Sequence, residues 1–323
     1  MRPEKANINI VNGKASLVYS GKDPWHTLGT RLNGNFTSSE AIAAANLGYI
    51  VSTVNVFDGD MRLIKNYKAV LRDDTRDIFG IVSSKWAPIQ NTKLAEFADA
   101  LVGSGNSFFH TAGCLGFGED IWFLLEVPKE LKVGNFSSEQ YKNYLFLSNN
   151  HIGKRSARIN FTSVRVICQN TFNAAIRKSE GDGVTIRHIG DMDRKIEEAK
   201  MILGLASKRI DDLGSLFTTL VNKSMTSLEI NNFVEQLFPI KEDAERTSKV
   251  VEARAFVADG IDGGGTGLDE VGIRGTRYAA LQSAIEFYDF QKGFRSAENR
   301  MKDICFGGGI GFKTRALELL VKD

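Results

Sequence analysis

Cysteine is scarce in this chain: Cys114, Cys168 and Cys305 are an odd number, widely separated, with no Cys-x-x-Cys pair. A disulfide framework or structural zinc site is therefore not expected. Each cysteine reads as a small buried hydrophobe, and a reducing cytoplasm suits the chain. Histidine is as thin. His26, His110, His151 and His188 form neither a His-x-x-x-His nor a His-Glu-x-x-His spacing, so no helix-borne metal site is expected. No apolar run approaches the roughly 18 residues of a membrane span. The opening MRPEKANINIVNGK carries charge without an apolar h-region, so neither a membrane nor export is expected. An excess of one charge is also missing. With 41 Lys and Arg against 39 Asp and Glu, the net charge is only +2, and any attraction to nucleic acid has to come from local patches.

What is present suits an ordinary globular chain of 323 residues, 42% hydrophobic and 25% charged, enough for one large domain or two. Residues 1–190 read as a sheet-rich α+β domain. Thr37 with Glu40 forms a capping box opening a helix that stops at Gly48, and a second helix runs from Asn91, its expected cap, to Val102 and is ended by Gly103. Strands are expected over Tyr49–Val56, Tyr67–Leu71, Ile78–Val82, Tyr144–Ser148 and Ile159–Ile167. A hairpin over Phe108–Val127 turns at Gly116-Phe117-Gly118. No regular βαβ alternation appears, so the sheet is expected to be mixed or antiparallel.

Residues 191–323 read as mainly helical. Ile196, Leu203, Ile210, Leu213, Phe217 and Leu220 recur at helical spacing, with Gly204 and Gly214 as points of weakness. A capping box at Thr226 and Glu229 opens a helix ending before Pro239, and further helices follow over Glu242–Ala258, Thr276–Phe290 and Gly311–Val321. The segment Asp259–Gly275, with seven glycines and four acidic residues, shows no apolar periodicity and is expected to be mobile.

The densest chemistry lies between His151 and Arg187. Lys154, Arg155, Arg158, Arg165, Arg177, Lys178 and Arg187 face only Glu180 and Asp182, a pattern that suits a phosphate-binding surface. In an extended strand Arg158, Asn160 and Thr162 share one face and make a polar ladder. Asn170 sits where it would cap a short helix whose N-terminus, flanked by arginines, favours an anion. The competing reading is a solvated strand with local salt bridges. His151 and His188 flank the segment as phosphate contacts or as ordinary surface or capping histidines, and a Cys168–His151 nucleophilic pair is a further alternative. Trp25, Trp86, Phe108, Phe109 and Phe161 are candidates for base stacking, whereas Trp122 reads as core. The run Gly307–Gly311 before Lys313 and Thr314 departs from a P-loop, because Phe312 interrupts Gly-Lys and no adequate strand precedes it. Lys313 with those glycine amides is instead a candidate phosphate contact.

The motifs Trp25-His26-Thr27-Leu28-Gly29-Thr30, Phe79-Gly80-Ile81-Val82 with Pro88-Ile89-Gln90-Asn91, Arg165-Val166-Ile167-Cys168-Gln169-Asn170-Thr171, Gly275-Thr276-Arg277-Tyr278-Ala279-Ala280-Leu281, and Phe306-Gly307 with Lys313 together resemble a phage/plasmid-like family. That family is defined by domain of unknown function number 932. The resemblance implies a role in the DNA metabolism of phages, prophages and plasmids. The strand–helix order and the basic strand are more loosely similar to phage single-strand annealing proteins of the Rad-fifty-two-like superfamily. Those proteins form rings that hold single-stranded DNA in a basic groove. Together these imply single-stranded DNA as partner, a homo-oligomeric ring or filament, and no cofactor. The alternatives are an interaction protein acting on host machinery, and an enzyme with a nonstandard polar site around His151, Arg158, Asn160, Arg165 and Asn170.

Overall fold

A computed structural model describes residues 9–11, 13–20, 29–34, 36–103, 108–136, 140–165, 171–172, 184–186, 188, 203–240, 244–295, 299–300, 303–304 and 307–322. The fold is α+β. Strands fill the N-terminal half and helices the C-terminal half. Two compact units form: Met1–Pro128 with Tyr144–Phe161 and Gly183–Ala206, and Lys129–Asn143 with Thr162–Asp182 and Ser207–Asp323.

The strands are β1 (Ile10–Val11), β2 (Lys14–Ala15), β3 (Leu17–Tyr19), β4 (Thr30–Arg31), β5 (Val51–Phe57), β6 (Leu63–Arg72), β7 (Ile78–Ser83), β8 (Phe108–Leu115), β9 (Asp120–Val127), β10 (Tyr141–Asn150), β11 (Ala157–Arg165), β12 (Thr171–Phe172) and β13 (Val184–Ile186). The main sheet has the order β12-β11-β10-β9-β8-β3-β4, with β13 also on β11. It is mixed, since β3 and β4 run parallel while β8 pairs antiparallel with both β3 and β9. A second sheet, β5-β6-β7, is antiparallel throughout.

Helix α1 (Ser38–Ala44) opens on the expected capping box, with Thr37 accepting from the Glu40 amide and Glu40 reaching back to Thr37. Helix α2 (Asn91–Gly103) departs from expectation at its start. Asn91 is its first residue, and its side chain donates to Leu47 O at 2.9 Å rather than capping the helix. Phe97, Leu94 and Leu47 pack in the core of this unit with Phe109, Trp122 and Phe123. Arg72 is enclosed there too. Its guanidinium forms a two-point pair with Asp74, donates to Phe117 O, and lies over the Tyr49 ring at 3.8 Å.

The helical unit contains α3 (Leu203–Val221) from Ser207 onward, α4 (Ser227–Leu237), α5 (Ala244–Asp259), α6 (Arg277–Glu286) and α7 (Gly308–Val321). In α3 the expected stripe of Ile210, Leu213, Phe217 and Leu220 is buried. Gly214 does not break the helix. A Cβ there would stand 2.7 Å from Lys132 O, so the glycine permits a close approach of the 129–135 segment. The second capping box, Thr226 with Glu229, starts α4 as expected. Helix α6 is buried from Tyr278 to Ile285, which places it at the centre of its unit. A π-helical turn, Phe287–Gln291, extends it.

The Asp259–Gly275 segment corrects the sequence reading. Ile261, Leu268 and Ile273 are fully buried and anchor it, and Gly263, at φ 102°, makes the left-handed turn out of the helical run. The spacing of those three apolar residues follows no secondary-structure period, which hid them from a periodicity search.

Candidate functional site

Strand β10 ends in a run of polar residues that the fold encloses. Ser148, Asn149, Asn150 and the following His151 are all buried. Such groups are costly without partners, and most find them. Asn149 Nδ2 donates to Ile89 O at 3.0 Å, and Asn150 Nδ2 donates to Asp120 Oδ1 at 2.6 Å. Arg155 pairs with the same Asp120 oxygen. His151 Nε2 lies 2.9 Å from Asn91 Oδ1, and its ring stacks on Phe79 at 5.9 Å. Burial, with lesser contributions from His188 and Arg72, pushes the His151 pKa down to about 3. An imidazole so enclosed is neutral near neutral pH and only a weak base. Its suggested partner Cys168 lies outside the described residues.

This polar run was missed in the sequence. A signal existed: four polar residues close an apolar strand, where a solvent-directed turn would need fewer. The surface or capping reading of His151 and His188 is also corrected. His188 is buried, with Nδ1 3.0 Å from Ala87 O and its ring stacked on Trp86 at 4.8 Å. Of the other stacking candidates, Phe109 is core and Phe108 and Phe161 are half-buried. Trp25 lies outside the described residues, and Trp122 is buried as expected.

The basic segment is only partly described. Arg158 is exposed on β11, with Asn160 and Thr162 half-buried, while Ile159 and Ser163 on alternate positions are buried. The strand alternation therefore holds, although Thr162 belongs to the second unit and Arg158 and Asn160 to the first. Lys154 is exposed in the turn before β11. Neither Lys154 nor Arg158 makes a side-chain ion pair or hydrogen bond among the described residues. Arg155 differs, being tied to Asp120. The side chain of Arg165, and Asn170, Arg177, Lys178 and Arg187 entirely, lie outside the described residues.

Lys313 is a correction. It is fully buried in the helical unit, with Nζ 2.7 Å from Asp289 Oδ1, and so presents no charge to a DNA backbone. The glycine run is occupied as well. Asp303 Oδ1 accepts from the Gly308 amide at 3.1 Å, filling the position an anion would take at the start of α7. Among the described residues no group of histidine, cysteine and carboxylate side chains is arranged to hold a metal, and no helix is long and apolar enough to cross a membrane.

The profile of the family described as Domain of unknown function (DUF932) matches residues 78–305, more than half of the chain. The chain belongs to the DUF932 family. No curated protein and no solved structure matches it significantly, so the looser likeness to annealing proteins finds no support there. The Trp25–Thr30 motif, Phe306-Gly307 and Lys313 lie outside the DUF932 match. Within it, the motif residues that are described make structural joins. Phe79 stacks on His151, while Gln90 pairs through its amide with both backbone groups of Val51. Thr276 caps α6, and Arg277 donates to Leu320 O at the end of α7.

Proposed function

We propose that this DUF932 protein binds single-stranded DNA, as a homo-oligomer, in the replication or recombination of mobile DNA. The observation that supports the reading is the pair Lys154 and Arg158. Both are exposed, four positions apart, and without a carboxylate partner among the described residues, whereas Arg155 between them is held by Asp120. Unpaired cations beside a polar strand face suit phosphates. Asn160, on the same face as Arg158, adds hydrogen-bonding capacity without sequence readout. The link to phages and plasmids rests on the family resemblance of the motifs.

Fluorescence anisotropy with a labelled oligo-dT and a matching duplex, at low and moderate salt, tests this. Binding that prefers the single strand and weakens steeply with salt is expected. Equal indifference to both probes at low salt overturns the reading.

A further inference from the structure

The sheet β5-β6-β7 departs from the usual pattern of an antiparallel sheet with one covered face, which is apolar inside and polar outside. Its inner face carries Val51, Val70, Arg72 and Val82, all buried. Residues directly opposite one another share a face. The register Val54↔Ala69↔Ile81, with Tyr67↔Ser83 beside it, therefore defines the outer face. That face is apolar as well. Ile81 is 54% exposed, Tyr67 52% and Val54 38%, and Ile78 at the start of β7 is 64% exposed. Ala69 between Val54 and Ile81, and Leu71 opposite Ile78, are buried on this face, so its exposed apolar side chains flank the middle of β6. The β5–β6 hairpin continues the surface with exposed Phe57 and Leu63. Contiguous exposed apolar surface of this kind marks an interaction site.

The charges around it indicate the occupant. Every described carboxylate of this sheet is engaged. Asp58 and Asp60 bind Arg62, Asp73 accepts from Ser52, Asp74 pairs with Arg72, and Asp77 accepts from Thr75. Three exposed cations have no side-chain ion pair or hydrogen bond among the described residues: Lys65 on β6, Arg76 in the β6–β7 turn and Lys85 after β7. Ser84 N bonds Asn66 O, so Lys65 and Lys85 lie near one end of the β6–β7 pair and Arg76 at the turn that closes the other.

We infer that this face docks a protein segment with apolar side chains flanked by carboxylates, an acidic amphipathic peptide. A second copy of the chain fits poorly, because the same face would bring like cations together. A nucleic acid fits less well than a peptide because the row is mainly aliphatic, and base stacking needs aromatic platforms. The inference does not depend on DNA binding.

The test uses the full chain and three synthetic amphipathic peptides with one leucine pattern and polar faces of Glu, Gln or Lys. The Glu peptide is expected to bind about tenfold or more tightly than the Lys peptide. Ile81→Glu should abolish its binding, with the circular dichroism spectrum and Tm as folding controls. Val54→Lys serves as a second variant should Ile81→Glu misfold. Lys65→Glu combined with Lys85→Glu should reverse the preference toward the Lys peptide. Failure of all three peptides to bind, or binding blind to their charge, overturns the inference. So does binding of oligo-dT, or a concentration-dependent doubling of mass, that Ile81→Glu removes.

Discussion

His151 and Asn91 fix one another's hydrogen-bonding state. Asn91 donates through Nδ2 to Leu47 O, so the oxygen that faces His151 Nε2 at 2.9 Å is an acceptor and Nε2 carries the proton. Nδ1 is then a bare acceptor, buried and without a hydrogen-bond partner. The pair joins the end of β10 to the start of α2, two elements remote in sequence.

This arrangement makes the first unit sensitive to acid. The folded pKa of His151 is depressed to about 3 from a usual 6.5, chiefly by burial. The unfolded chain therefore binds the proton first as pH falls. The contribution to stability is complete above pH ~6.5 and declines toward pH ~3, by roughly 1.4 kcal/mol per pH unit. His151→Phe should flatten that limb while lowering stability near neutral pH by about 1–3 kcal/mol, because Asn91 Oδ1 loses its donor. Urea unfolding at several pH values checks both effects, and an unchanged pH slope in the variant would assign acid sensitivity elsewhere.

In the helical unit the buried pair Lys313–Asp289 ties α7 to the π-helical turn after α6. Removing one partner leaves an isolated buried charge. Lys313→Met is expected to cost about 3–5 kcal/mol. Combining it with Asp289→Leu should restore most of the loss, since two apolar groups need no counter-charge. Chemical denaturation of the two single variants and the double variant reads the coupling directly, and additive losses would show that the pair does not act as a unit.

Gly214 gives a prediction whose sign is diagnostic. In an exposed helix interior Gly→Ala stabilises by about 1 kcal/mol. Here the new Cβ would lie 2.7 Å from Lys132 O, a backbone atom. Gly214→Ala is expected to destabilise by about 1–3 kcal/mol, as overpacking does. A raised Tm would show that the 129–135 segment yields easily.

Local chemistry was the legible part of the sequence. Both capping boxes and the Phe108–Val127 hairpin depend on residues a few positions apart, and the structure forms them where the sequence placed them. Asn91 was misread because its partners, Leu47 and His151, are 44 and 60 residues away. Lys313 was misread for the same reason, as its buried partner Asp289 is 24 positions back. The Arg158–Asn160 alternation was readable from strand period alone. Whether a neighbouring cation lacks a partner among the described residues, as Lys154 does, or is paired, as Arg155 is with Asp120 on another strand, depends on tertiary contacts. The apolar outer face of β5-β6-β7 escaped notice because strands apolar on both faces read as buried strands.

The central proposal is tested most directly by the salt dependence of oligo-dT binding for the wild type and for Lys154→Ala combined with Arg158→Ala. Each lost contact to a single strand lowers the slope of log K against log salt by about 0.7. The double variant should therefore bind more weakly at low salt, with a slope shallower by about 1.4. Affinity and slope equal to those of the wild type would contradict the account.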